Sequence, residues 1–230
     1  MLHEQRKVSP WLFSCIALMF CVFYPGDTPA APTAPGTCLS PEEAELVQLV
    51  NQYRVANGLH QIPISYSLTM VGQWHVQDLN LNHPDTGTGY QGQECNMHSW
   101  SGWHPALWNG MCYTPDHHEA QEMWDKPRQI SQQAYQGNGY EIAYSSSGQV
   151  TAAAALAGWQ GSAPHNDVIL EHGIWENADW PAMGVGLYQH YAVVWFGDKA
   201  DAAGLATCQP PGGTPGPEKL LSPILQLLLQ

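Results

Sequence analysis

The sequence predicts an α+β domain, and three observations predict it. Three stretches carry apolar residues at helical spacing, and two short runs near residue 190 read as strands joined by a short turn. Between them, from His83 to Gly139, Gly, Trp, Asn and Pro are frequent and periodicity is weak, which predicts long loops.

The first helix opens at Ser40-Pro-Glu-Glu43. Ser40 can cap it, Pro41 suits the first turn, and Glu43 completes a capping box. Leu46, Val47, Val50 and Tyr53 then share a face, and Gly58 ends the run. A second helix is predicted over 67–80 from Leu68, Val71, Trp74, His75 and Leu79. His75, one imidazole in an apolar stripe, reads as a core residue with a hydrogen-bond partner. Val150, Ala153, Leu156 and Trp159 predict a third helix over 149–160. Gly184–Tyr188 and Tyr191–Phe196 read as two strands joined at Gln189-His190. No internal repeat is present.

The first residues read as an export signal. Arg6 and Lys7 precede the apolar run Trp11–Tyr24, about fourteen residues, which is short for a bilayer span and right for a signal core. Thr28-Pro-Ala30 offers small residues at −3 and −1, so residues 1–30 are expected to be a signal peptide. Lipidation at Cys21 is disfavoured by the bulky Phe20 before it. Residues 31–39 are expected to be a linker, 40–198 the domain, and 199–230 a Pro/Gly-rich tail. The tail's apolar end, Lys219–Gln230, contains Pro223 and is too short to span a membrane as one helix. The chain is therefore expected to be secreted or extracytoplasmic, with no transmembrane anchor after cleavage.

Seven Lys and Arg stand against twenty Asp and Glu, a formal net charge of −13. Such a surface repels phosphate backbones, which argues against a nucleic-acid partner. It tolerates cations or basic partners, or serves solubility alone. Signal cleavage would remove Cys15 and Cys21 and leave Cys38, Cys95, Cys112 and Cys208, which allow three pairings. Cys95–Cys112, closing a local loop, and Cys38–Cys208, joining the domain ends, are favoured, although sequence alone selects neither. Without a Cys-x-x-Cys spacing, a cysteine zinc site is not expected.

Three motifs carry groups that hold metals or move protons: Cys95-Asn-Met-His98, Gly139-Tyr140-Glu141 and Trp159-Gln-Gly-Ser162-Ala-Pro-His165. Only a folded domain could bring His98, Glu141 and His165 together. Two neutral imidazoles favour Zn²⁺, Cu²⁺ or Ni²⁺, with carboxylate or water completing the shell. The alternatives are a His–Glu pair acting as general base on water and an inert, hydrogen-bonded cleft. His117-His118-Glu119 reads as solvated surface or a second metal site. Trp100, Trp103 and Trp108 read as packing under a loop or a binding wall, and Trp124–Arg128 as structural.

The order of these motifs resembles the CAP superfamily (cysteine-rich secretory, antigen 5 and pathogenesis-related-1 proteins), in its bacterial form. The resemblance covers roughly residues 42–197. Asn51-Gln-Tyr-Arg54 looks like the family's Asn-x-x-Arg, and Ile62-Pro63-Ile64 like its hydrophobic-Pro-Leu segment. Met97-His98-Ser99 resembles its first histidine, and Trp159–His165 resembles the Trp-x-x-Ser-Pro-Gly-His stretch, with Ile169-Leu170 following. Gly184-Val-Gly186 and Tyr191–Phe196 look like its closing strands.

The resemblance implies a three-layer α-β-α sandwich with a short antiparallel sheet, long loops and an open cleft lined by His98, Glu141, His165 and Ser162. His98 and His165 would be the metal ligands, with zinc as the expected ion. The family reads Gly-Glu-Asn where this chain has Gly139-Tyr140-Glu141, so an ungapped match puts Tyr140 at the glutamate position. A one-residue shift turns a strand residue to the opposite face; a bulge led in by Gly137-Asn-Gly139 would restore it. Family members are associated with lipid or sterol, extracellular proteins and divalent metals, so a lipid, a small ligand or an extracellular protein is the expected partner, with no residue assigned as catalytic. A hydrolase using the His/Glu cleft, with Ser99 and Ser162 nearby, is the alternative, although no Gly-x-Ser-x-Gly or His-Glu-x-x-His motif is present. A structural or adhesive surface protein, docking through its tail, is the third.

Overall fold

Ser40 caps the first helix through both halves of a capping box: its hydroxyl accepts from Glu43 N, and the Glu43 carboxylate accepts from Ser40 N. That helix, α1, runs Pro41–Ala56 in a computed structural model that describes residues 35, 36 and 38–201. Ser65 likewise caps α2, Tyr66–Asn82, two residues longer at the C-terminal end than the periodicity predicts. The loop-rich stretch contains two five-residue helices, α3 (Ala120–Trp124) and α4 (Lys126–Ile130). After them come β1 (Gly139–Ser145), α5 (Ala152–Gln160), α6 (Ala163–Leu170), β2 (Ala182–Tyr188) and β3 (Tyr191–Gly197). The β2–β3 hairpin closes at Gln189, whose φ of 51° is left-handed.

The strands lie in the order β1-β3-β2, antiparallel throughout. Strand alternation divides their side chains between two cores. Ile142, Val185, Val194 and Phe196 pack with α1, α5 and α6; Ala143, Ala182, Val193 and Trp195 pack with α2 and the long loop. The result is the expected three-layer α-β-α sandwich. Helix α2 lies directly on β2: a Cβ added at Gly184 would come within 2.0 Å of Leu68 C, and one at Gly186 within 2.1 Å of Gly72 O. Glycine at both positions lets two backbones touch.

The Asn-x-x-Arg stretch is a structural tie. Asn51 brackets Ile62 with bonds to its N–H and C=O. Buried Arg54 reaches the His60 and Ile169 carbonyls and pairs with Glu171 at 2.7 Å, linking α1 to the end of α6. Lys126 is equally buried, held by Glu122 and the Asn109 carbonyl, so Trp124–Arg128 does form a helical junction of structural character.

Ordered contacts are also made by residues on either side of 40–198. Gln73 bonds Gly36 N and Cys38 O, and Leu39 joins the core, so part of the expected 31–39 linker is packed. Beyond residue 198, the Lys199 backbone bonds Tyr135 Oη, and Asp201 accepts from Ser65 Oγ and Ser67 N at the start of α2. Cys95 and Cys112 form the expected disulfide. Cys38 is also disulfide-bonded; the expected partner Cys208, the expected signal peptide and the tail beyond residue 201 lie outside the described residues.

Candidate functional site

Strand β1 is an edge strand, and a cleft of about 770 Å³ opens beside it. Helix α3 and the loop bearing His98, Tyr113 and His117 form one wall; α6 and the turn at Gly173–Trp175 form the other. Tyr140, Glu141 and Ile142 make the floor. His98, Glu141 and His165 all line this cleft. Ser162 does not; it stands behind His165, its Oγ 2.9 Å from Nδ1.

The β1–β3 ladder is regular from Gly139↔Gly197 to Ser145↔Tyr191, so the bulge expected before Glu141 is absent. None is needed. Tyr140 points into the α1/α5/α6 layer beside Trp175 and Trp180, while Glu141 points toward α2. There its carboxylate meets two imidazoles, His75 Nδ1 at 2.5 Å and His98 Nδ1 at 2.8 Å.

Proton bookkeeping follows from the donors. His75 Nε2 lies 2.9 Å from the Ser99 carbonyl, which can only accept, so Nε2 carries a hydrogen. A single proton then lies in the contact between Nδ1 and Glu141. Burial opposes charge on both groups. For His75, the charge and hydrogen bond of Glu141 more than offset burial and raise its pKa; for Glu141, His75 and then His98 bring the carboxyl below its usual range. An imidazolium–carboxylate pair results, with the ring stacked on Trp100 at 4.1 Å. Because the carboxylate accepts, His98 donates through Nδ1, leaving Nε2 as its uncommitted nitrogen. His98 keeps 20% side-chain exposure, whereas His75 and Glu141 keep none.

His165 stands at the third position of α6, with its Nδ1 engaged by Ser162. Burial lowers its pKa, and the charge of His98 lowers it further. His98 and His165 thus face one cleft. Tyr113, its pKa pushed up by burial and by Glu141, bonds His117 Nδ1 at 2.8 Å. His117 is exposed, as the sequence predicts, and stands at the rim of the cleft, while His118 is exposed and stacks on Tyr90. Trp100 and Trp108 are packed under the loop as expected, and Trp103 is half exposed.

Sequence reasoning missed the part that His75 takes in the site. The signal was present: a titratable residue in the most buried stripe of a helix requires a partner. Both Glu141 oxygens are occupied, and among the described residues no group of three or more His, Cys, Asp or Glu is arranged to hold a metal.

Compared by sequence, the chain matches no family model and no curated protein. By structure it is similar to a cysteine-rich secretory protein from Staphylococcus aureus, with 13% identity, a TM-score of 0.42, and coverage of 69% of this chain and 39% of that one. It is similar to an SCP-domain extracellular protein from Bacillus anthracis, with 18% identity, a TM-score of 0.45, and coverage of 69% and 40%. An outer surface protein from Borrelia burgdorferi matches with 15% identity, a TM-score of 0.41, and coverage of 68% and 91%. The chain spans about two fifths of the length of the first two. The chain itself presents an α-β-α sandwich with an open cleft beside its edge strand.

Proposed function

We propose that this chain is an exported binding module whose cleft takes a small apolar or amphipathic ligand, with a divalent metal as a second component. One observation carries the reading: two histidines, each anchored through Nδ1, line a single cleft whose other walls include Met123, Trp124, Ile142 and Trp175. A mostly apolar hollow with a few convergent polar groups is the usual form of a small-ligand site. Export is supported by the Arg6/Lys7 and Trp11–Tyr24 segment and by the Cys95–Cys112 disulfide, which persists in oxidising compartments. No helix among the described residues is long and apolar enough to cross a membrane.

Zinc fits the donors in part. His98 and His165 would supply two imidazoles, and water or ligand the rest, making a modest site in which protons compete with the metal. A second reading, activation of water by His98, draws on the His75–Glu141–His98 chain that orients it. Serine chemistry draws no support from the cleft: Ser99 is buried with its Oγ accepting from Tyr113 N, and neither Ser99 nor Ser162 lines the cleft.

The test is thermal denaturation with zinc or decanoate. A probe present at one hundred times its Kd stabilises by about 2.7 kcal/mol, roughly a 5–10 °C rise in a domain of this size. Wild type should respond at pH 7.5, the zinc response should vanish near pH 5, and His98→Ala/His165→Ala should lose it. If neither probe shifts the wild type, or the double variant shifts equally, the cleft is not the binding site. Peptide hydrolysis abolished by His98→Ala would instead favour the catalytic reading.

A further inference from the structure

Glu141 is 8% exposed as a residue, yet its side chain is 0% exposed. Its accessible surface is therefore main chain, and that surface lies in the cleft. The ladder identifies the groups. Ala143 O accepts a hydrogen bond from Trp159 Nε1 and so points away from β3. Antiparallel pairing alternates residues that bond their neighbour with residues that do not. Glu141, two residues before Ala143, is in the same phase, and its N–H and C=O also turn away from β3. The bond from Asp198 N to Asn138 O puts Asn138 in the opposite phase, as this requires. Among the described residues neither main-chain group of Glu141 has a partner beyond the sheet.

The open edge is short. Trp159 covers it at Ala143, and Gly139 is buried. One residue of β1 is left free to pair, through one donor and one acceptor. An unpaired strand edge is a template for another extended chain. An apolar ligand without hydrogen-bonding groups would leave both unmatched.

We propose that the cleft's ligand is a short extended peptide that adds to the β1 edge and exchanges two main-chain hydrogen bonds with Glu141. This rests on the binding reading above and names its ligand class. Side-chain alternation then sets the preference. The peptide residue opposite Glu141 projects to the same face as the Glu141 side chain, toward His98, and favours a polar group. Its two neighbours project to the face of Tyr140 and Ile142, beside Trp175, and favour apolar groups. The 770 Å³ of the cleft suits a segment of a few residues.

The test uses the purified full-length chain and a fluorescent library of terminally blocked hexapeptides with an apolar–polar–apolar centre, read by polarisation. The best binder is then N-methylated at each position in turn. Methylation at the one residue that donates to Glu141 O should weaken binding at least tenfold, and methylation of the flanking residues should not. Ala120→Trp, which fills the cleft from its α3 wall, should weaken the parent peptide at least tenfold. The methylation series needs only the wild-type protein, so a misfolded variant does not affect it. A binder that tolerates methylation everywhere overturns strand addition. A library with no binder overturns the proposal too, and a zinc or decanoate shift in the same sample then shows that the binding reading survives.

Discussion

Glu141 holds a carboxylate away from water because two imidazoles reach it from separate parts of the chain. His75 comes from the middle of α2, and His98 from the loop tied by the Cys95–Cys112 disulfide. Glu141→Gln keeps the shape and removes the charge, leaving a buried imidazolium without its counterion. The expected loss is about 3–5 kcal/mol in urea unfolding; an unchanged midpoint would mean that no ion pair is present. The pH dependence has two sides. The Glu141 pKa is lowered, so its contribution is present above the ordinary value of 4.5 and lost as pH falls through the folded value. The His75 pKa is raised, so its contribution is full below 6.5 and lost as pH rises through the higher folded value. Wild type and Glu141→Gln should differ most at about pH 5–6. His98 and His165 were legible because their motifs are local. His75 was legible only as a buried polar residue, since its partner is 66 residues away.

Helix α2 against β2 is the tightest contact between elements, and two glycines permit it. Gly186→Ala would drive a methyl into the Gly72 backbone, which has no rotamer to yield. The cost should exceed the ~1–3 kcal/mol of ordinary overpacking. Circular dichroism melts would show it, and a Tm equal to wild type would disprove the close approach. The same contact fixes which face of the sheet α2 covers, and hence where His75 meets Glu141. The predicted elements were those with local signals: α1 from its capping box, the hairpin from two short strand runs and the turn between them. Helix α6 was missed. Ser162 before Pro164 had the form of a helix start, but eight residues with one buried turn leave little periodicity to read.

At the level of the whole molecule, a loop-rich segment supplies one wall of the cleft and is pinned by a covalent link. Cys95 and Cys112 are 17 residues apart, so the Cys95→Ala/Cys112→Ala variant should lose about 3 kcal/mol in guanidinium unfolding. Its response to zinc or decanoate should shrink as well, because His98 lies inside the closed loop. Retained stability would mean that the loop is held by packing of Trp100 and Trp108 alone. Cofactor and partner were the least legible features, since a net charge of −13 and two histidines fit several ligands equally well.

The amino-acid order alone determined the elements whose causes are local: caps, helical stripes, the hairpin, and the local disulfide as a favoured pairing. It also marked His98, Glu141 and His165 as the residues to follow. Only the tertiary structure decided that Glu141 turns its carboxylate inward to His75 and its main chain outward to the cleft. The face and phase of an edge strand are set by the strand it pairs with and the helix that covers it, and both lie far away along the chain.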